Sequence, residues 1–541
     1  MYEKVAQVKG VGRMKAGKDG LDPSRLLAPL RASSSFRILW IGQVAIQIAI
    51  WVQTVAAQFV VVESDGSTFQ VALVQSAMTL PFLLVGIPIG VLADVLPRRA
   101  MLIVANSAAA LIALSLAIAN AVGVLSPPLV LGLTFLLGLA VAVNLPTWTA
   151  SVPDVIDRKY IPSAAMLTSI NVNMGRVVGP ALGGVLLVGF SPTFAFAVSA
   201  LGFASFAAAV IFAGPTAHRP VRHRFVPALR TGFRHVRHTR SYYRLIAISA
   251  GWFISGSVLF ALLPVIAFRE FGVGPGEYGW ILAMVGVGAV VGTIAFAPIR
   301  ARMSPTRYTM VFAPVFALSL AAIGLAPTIT ILFIALPIAG FTWSAVASVL
   351  YSTAQQQLPA WVRARGIAYY LMASQGGIAI GSFIWGLVGQ ALGAPTAFVI
   401  AAIAIVPVWI AIMLIRLPAA VEDSHAATWS MPEHWDSVEN PNKRATVIVE
   451  YQVDESVLEE FLNAMQMIRQ SRRRTGARLW SLSADVEREG IYVEIFEVDS
   501  WMEHMEQHDI RQMAADADAS AEIRRLVGGP VSVRHLIETD T

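Results

Sequence analysis

The sequence predicts an all-α polytopic membrane protein of twelve transmembrane helices in two six-helix repeats, with a small α+β domain appended at the C-terminus. Three observations lead there. The 541 residues are 56% hydrophobic and only 14% charged, against about 25% charged in soluble domains. Twelve apolar runs, each near the roughly 20 residues that a membrane-spanning helix needs, follow one another along the chain. From about residue 420 the pattern changes to short alternating and amphipathic stretches.

The predicted spans fall near 37–62, 70–93, 100–123, 128–151, 164–189, 192–214, 246–268, 278–300, 307–327, 329–352, 365–391 and 394–416. Turn chemistry separates them, as in SDGS at 64–67, SPP at 126–128 and GAPT at 393–396. There is no cysteine, which excludes disulfides, thiolate metal sites and a cysteine nucleophile. Residues 1–35 form a polar, basic arm without a short apolar core, so no cleaved signal peptide is expected.

Cationic loops stay on the cytoplasmic side of a membrane. Lysines and arginines fill the N-terminal arm and then alternate loops, at Arg98 and Arg99, Arg158 and Lys159, 215–244, Arg300 to Arg307, Arg363 and Arg365, and Arg416. The intervening loops hold one cation, Arg269. Both termini are therefore expected in the cytoplasm. The net charge of +6 suits nucleic acid or membrane, and this distribution favours membrane. Segment 215–244 carries eight arginines, four histidines and no acid, and reads as an arm on anionic headgroups. No nucleic-acid motif accompanies it.

The domain division expected is an arm at 1–35, six-helix bundles at 36–214 and 245–417 around the basic loop 215–244, a linker at 418–443 and a last domain at 444–541. The two bundles echo each other. Gly175, Gly179 and Gly184 in the fifth span match Gly377, Gly381 and Gly386 in the eleventh at a constant offset. Pro97 and Arg99 after the second span fall on Pro305 and Arg307 after the eighth. Two such repeats imply halves that rock about a midplane cavity.

The last domain reads β-α-β-β-α-β. Strands are predicted at 445–453, 481–487, 491–498 and 531–538, a helix at 454–472 and a second helix from Ser500. This order predicts a ferredoxin-like domain. Its stretch SWMEHMEQH places His504 and His508 four apart on one helix face, as a metal site would want. The hydrolytic zinc pattern needs glutamate directly after the first histidine, and Met505 stands there. Ser500 with Glu503 instead reads as a capping box, and neither metal nor cofactor is expected.

Gly90-x-x-x-Asp94-x-x-Pro97-Arg98-Arg99 closes the second span. It resembles the loop signature of the major facilitator superfamily, with Val95 in place of a usual cation and Pro97 in place of a usual glycine. The resemblance implies a conformational latch of Gly90, Asp94, Arg98 and Arg99. Residues 298–310 lack the aspartate, so a weaker latch is expected there. Gly175, Gly179, Pro180, Gly183 and Gly184 resemble the antiporter motif of drug-exporting facilitators, although its first glycine would fall on Met166. Span 36–102 also resembles the branch holding the enterobactin exporter and transmembrane secretion effectors, whose longer members carry an appendage with SW-x-EH-x-x-QH.

Arg176 is the single charge deep inside a predicted span, which makes it a functional candidate. Gln43, Gln47, Trp51, Thr54 and Gln58 form one stripe on the first span. With Asn144 and Trp148 of the fourth they are candidate cavity residues for a bulky amphipathic substrate, or interhelical hydrogen-bonding groups. The reading that results is an exporter of a small amphipathic molecule (drug, siderophore or secondary metabolite) across a bacterial inner membrane by alternating access, with proton coupling implied by the resemblance alone. An importer of the same fold, and a membrane-tethered monooxygenase-like enzyme acting through 444–541, remain alternatives. A homodimer through the C-terminal domain is an expected partner arrangement.

Overall fold

The structure is a computed structural model that describes residues 27–214, 234, 236–359, 362–417, 443–509 and 514–539. Its first part is a bundle of twelve long helices. These are α1 Ser34–Glu63, α2 Thr68–Val95, α3 Arg98–Ala121, α4 Pro127–Val155, α5 Ile161–Gly189 and α6 Pro192–Ala213. A second set follows: α7 Arg240–Gly256, which runs on through Val258–Val265 and a π-turn at Ile266–Glu270, α8 Pro275–Ala295, α9 Pro305–Gly324, α10 Ile329–Gln356, α11 Arg363–Leu392 and α12 Ala394–Ile415. Among the described residues eleven helices, counting Arg240–Glu270 as one, are long and apolar enough to cross a membrane. The twelfth predicted span is the 21-residue α8.

Local chemistry sets the helix ends. Ser67 and Gln70 complete a capping box at α2, and the hydroxyls of Ser33, Ser191 and Ser304 accept first-turn amides of α1, α6 and α9. Pro127, Pro192 and Pro305 stand in first turns, where a missing N–H costs nothing. The span expected over 278–300 ends sooner. Helix α8 stops at Ala295 and a separate short helix covers Ala297–Arg302. Pro298 explains the break, because it cannot donate to the preceding turn.

The packing shows two repeats. Helix α1 packs on α5 and α6, α2 on α4, and α3 on α6. Six helices later α7 packs on α11 and α12, α8 on α10, and α9 on α12. The halves meet through α2 against α11 and α5 against α8. Glycines permit these approaches. A Cβ on Gly179 would stand 2.4 Å from Cβ of Trp51, and one on Gly381 2.3 Å from the Ile254 carbonyl oxygen. Both lie on contacts within a half. Gly184 meets Gly279 across the halves, where a Cβ would stand 2.8 Å from its Cα. The offset seen in the sequence is thus a shared packing scheme.

The C-terminal part is a four-stranded antiparallel sheet with helices on one face. Its elements are β1 Ala445–Gln452, α13 Leu458–Thr475, β2 Ala477–Ala484, β3 Ile491–Val498, α14 Trp501–Asp509, α15 Ala514–Leu526 and β4 Ser532–Ile537. The strand order is β2-β3-β1-β4, the ferredoxin-like arrangement. Two expectations change. Strand β2 begins at Ala477 and ends at Ala484 rather than covering 481–487, because Asp485 caps the turn by accepting from the Glu487 and Arg488 amides. The second helix is two helices, α14 and α15.

Val447, Val449, Phe496 and Val498 face the helices, packed with Phe461, Met465 and Ile468 of α13. In that apolar layer Glu494 is fully enclosed and accepts from Tyr451 Oη at 2.7 Å, Trp480 Nε1 at 2.9 Å and Arg472 Nε at 3.1 Å. An ionised carboxylate there without donors would cost several kcal/mol. The Glu503 amide donates to Ser500 Oγ at 3.1 Å. His504 is 1% exposed, lies beside Phe496, Trp501 and His535, and has Nδ1 3.2 Å from Gln507 Oε1. It is a core residue of the domain. The His508 side chain lies outside the described set. Burial first, and Arg472 second, hold His535 below its usual range, which favours a neutral imidazole.

Arg234, just before α7, joins the two parts. It donates to the Gly476 carbonyl at the end of α13 and to Asp499 Oδ2 at 3.3 Å, and lies 4.0 Å from Glu503 Oε1. Residues 1–26, 215–233, 235 and 418–442 lie outside the described residues.

The glycine contacts make a prediction. Gly179→Val should force α1 and α5 apart and lower stability by about 1–3 kcal/mol. Gly132→Ala, where a Cβ would meet nothing within 4 Å, should leave melting in detergent unchanged. Equal melting of both variants would refute the packing account.

Candidate functional site

The candidate site lies between the halves, where α5 faces α8 and α10. Gly175 and Gly179 bring α5 onto α1 at Gln47 and Trp51. The intervening residue Arg176 then turns from that contact toward the other half. Its Nη1 donates to Ser344 Oγ of α10 at 3.1 Å. Its backbone carbonyl lies against Gly286 of α8, where a Cβ would stand 2.6 Å away. The guanidinium therefore crosses the gap between the halves. Its Nε–H is buried and finds no acceptor among the described residues. Leaving such a donor unpaired costs about 1–3 kcal/mol, more for a charged group.

A chain of aromatic rings runs from α1 into the C-terminal half. Trp51 of α1 lies 5.8 Å from Phe260 of the α7 continuation, and Phe260 lies 5.9 Å from Trp343, the neighbour of Ser344. Trp343 in turn stacks on Trp252 at 5.8 Å. Toward the end away from the basic loops, polar and aromatic contacts join the halves. Tyr278 Oη donates to Gln58 Oε1 at 2.9 Å and Gln58 Nε2 donates to the Phe260 carbonyl at 3.0 Å. Phe59 packs on Phe268 and Phe69 on Phe383. Arg269 reaches the Gly66 carbonyl and Thr68 Oγ1.

The polar stripe of α1 thus divides by level. Gln47 and Trp51 pack on Gly175 and Gly179 of α5, and Gln58 ties the halves together. Gln43 is enclosed and donates to Asn144 Oδ1 at 3.4 Å, so both of these serve a contact within the N-terminal half. Trp148 departs from its expected place on a cavity. It is 1% exposed, stacked with Phe36 at 6.2 Å and edge-on to Phe206 at 6.1 Å. The apolar ring belongs to the core of the N-terminal half. Sequence periodicity missed Ser344, Trp343, Phe260 and Tyr278. A hydroxyl or aromatic residue in the middle of a span carries no mark of the helix it will face.

At the basic-loop end, Arg98 donates to Asp154 Oδ2 at 2.9 Å and to the Ala150 carbonyl at 2.6 Å, and Arg99 donates to the Ile211 carbonyl at 2.6 Å. Asp154 at the end of α4 is thus a partner of the loop arginines. Gly90 and Asp94 occupy the last turns of α2, and their side-chain surroundings lie outside the described set. In the other half Arg300 reaches Ser348 Oγ at 3.4 Å and Ser352 Oγ at 3.0 Å on α10. Hydroxyls stand there where the first half has a carboxylate. Arg300 leaves from the short helix after α8, whereas Arg98 opens α3, so the two contacts are similar in form and not in helix position. Gly183 and Pro180 lie along α5, which stays helical through the proline.

The Arg98 pair is testable by coupling. Arg98→Gln, Asp154→Asn and the double variant should shift thermal unfolding non-additively, with an interaction of about 0.5–3 kcal/mol. Strictly additive shifts would show that the pair contributes nothing.

The chain can now be set beside known proteins. The sequence model of the family described as transmembrane secretion effector matches residues 24–541. Multidrug efflux pump Tap of Mycobacterium tuberculosis is 25% identical over 393 residues, which is 69% of this chain and 90% of that protein. Enterobactin exporter EntS of Citrobacter koseri is 25% identical over 372 residues, 67% of this chain and 87% of that protein. Among solved structures, a bacterial homologue of the human lysosomal transporter Spinster, inward-facing and occupied, superposes with a TM-score of 0.56 at 17% identity, covering 72% of this chain and 97% of that one. The nucleoside transporter NupG gives 0.55 at 14% identity, covering 71% and 100%. Twelve helices in two like-packed halves, a facilitator-type loop after α2 and a family match over nearly the whole chain place this protein in the transmembrane secretion effector family of major facilitator membrane transporters.

Proposed function

We propose that this transporter exports a small amphipathic molecule from the cytoplasm across a bacterial inner membrane by alternating access, with proton coupling. The observation that carries the reading is Arg176, which bridges the halves to Ser344 and keeps a buried Nε–H without an acceptor. An anionic or carbonyl-rich group of a substrate would supply that acceptor. The half-buried Trp51 of α1, one turn of α5 from Arg176 at its contact with Gly179, suits the apolar part of the same molecule. The names of the relatives, an efflux pump and an exporter, support the outward direction. The alternation of basic loops supports cytoplasmic termini and a basic segment 215–244 lying on anionic headgroups.

No carboxylate of the sequence falls deep in a predicted span, so proton coupling would run through the acids at the basic-loop end. Asp154, held by Arg98, and Asp94 are the groups proposed for it.

The decisive experiment uses inside-out vesicles with radiolabelled enterobactin and tetracycline as probes. Arg176→Gln should abolish most proton-driven accumulation of a transported probe while the protein keeps its melting temperature. Unchanged accumulation in a normally folded Arg176→Gln protein would overturn the role of Arg176. Accumulation of neither probe by the parent protein would overturn the substrate class.

The open face of the tail sheet supports a further element of the reading, a homodimer. Leu479, Leu536 and Ile495 are 58%, 51% and 36% exposed there, on the face opposite the helices. Mass photometry of the full chain should find dimers that Leu479→Lys with Leu536→Lys converts to monomers. A monomeric parent protein would exclude this.

A further inference from the structure

Where the first turns of α7 meet the end of α12 there is a cavity of about 240 Å³. Ser241, Arg244, Leu245 and Ile248 line it from α7, and Ile415, Arg416 and Leu417 from the end of α12. It is smaller than the pockets that enclose drug-sized molecules, and it lies apart from the contact between the halves. Arg244 of α7 and Arg416 past the end of α12 both line it, and neither has an acidic partner among the described residues.

The backbone is arranged to hold them there. Arg416 has φ +52°, a left-handed conformation that strains a residue with a Cβ. The backbone here is held by two hydrogen bonds. The Arg416 amide donates to the Ile412 carbonyl at 3.0 Å. The Leu417 amide donates to Thr306 Oγ1 at 2.9 Å, and its side chain is 7% exposed. The chain thus turns sharply to bury Leu417, and Arg416 is left at the rim of the cavity. On the other wall, the N-cap of α7 is Thr239, whose side chain does not cap the helix and whose buried Oγ1 has no partner among the described residues.

The surroundings are apolar. Leu414 and Tyr243 nearby are 73% and 59% exposed, as side chains facing a bilayer would be. Leu245, Ile248 and Ile415 form apolar walls beside the charges. A phosphate between two guanidiniums, with hydrocarbon running along α7 and α12, would satisfy both kinds of surface.

We propose that this cleft binds a phosphate group, carried by an anionic glycerophospholipid or free as the inorganic ion, through Arg244 and Arg416. The site sharpens the headgroup contact proposed above and does not depend on which molecule is transported.

The test uses the full-length protein, delipidated in neutral detergent. Binding of phosphatidylglycerol, phosphatidylcholine and inorganic phosphate is followed by native mass spectrometry and by thermal shift. The parent protein should prefer phosphatidylglycerol. Arg244→Gln with Arg416→Gln should weaken that binding about tenfold or more, with phosphatidylcholine binding and basal melting unchanged. Arg240→Gln, which removes a neighbouring cation that does not line the cleft, should have little effect. Should the double variant not fold, Arg416→Gln alone, at an exposed position past the end of α12, should still weaken phosphatidylglycerol binding severalfold. Inorganic phosphate that binds as tightly, with the same dependence on both arginines, would keep the site and assign it to the free ion. Phosphatidylglycerol affinity untouched by the cleft substitutions, or reduced as much by Arg240→Gln, would indicate diffuse attraction at the surface and overturn the cleft.

Discussion

The structure depends on how closely its helices can approach. Inside a bilayer apolar side chains gain nothing by leaving lipid for one another, so association rests on close contact and a few interhelical hydrogen bonds. Here the contact is made at glycine. Along α5, Gly175 and Gly179 admit α1, and Gly184 admits α8. Along α11, Gly377 and Gly381 admit α7, and Gly386 admits α2. One helix in each half therefore holds its own bundle with one face and the opposite bundle with another.

The same approach creates the site. Arg176 reaches Ser344 because Gly175 and Gly179 set α5 against α1 and Gly286 sets it against α8. The corresponding position on α11, next to Gly377, is Ile378. The repeat that makes the scaffold symmetric therefore leaves its deep charge on one side only. At the basic-loop end the two halves use different contacts, Arg98 of α3 with Asp154 and Arg300 of the short helix after α8 with two serines.

The C-terminal domain repeats the theme of paired charge. Its interior acid, Glu494, is tolerable only because a tyrosine, a tryptophan and an arginine all donate to it. At its junction with the membrane part, among the described residues, Arg234 is set between a helix-terminal carbonyl and the acids of Asp499 and Glu503. Those acids belong to the start of α14. The SWMEH stretch thus serves as a helix start and a docking point, with His504 turned into the core.

The sequence by itself determined the number of spans, the break between membrane and tail, the glycine correspondence of the fifth and eleventh spans and the identity of Arg176 as an isolated deep charge. These are local or periodic properties, and a bilayer leaves the backbone no alternative to a helix. Only the tertiary structure decided which polar residues meet. Gln43 pairs with Asn144 and Trp148 fills a core, although both lie on the helices whose stripe pointed to a cavity. Ser344, Tyr278 and Glu494 became important through partners more than twenty residues away, or on another strand or helix. A single helix fixes which face a residue occupies. What that face meets is settled only when the other eleven helices are in place.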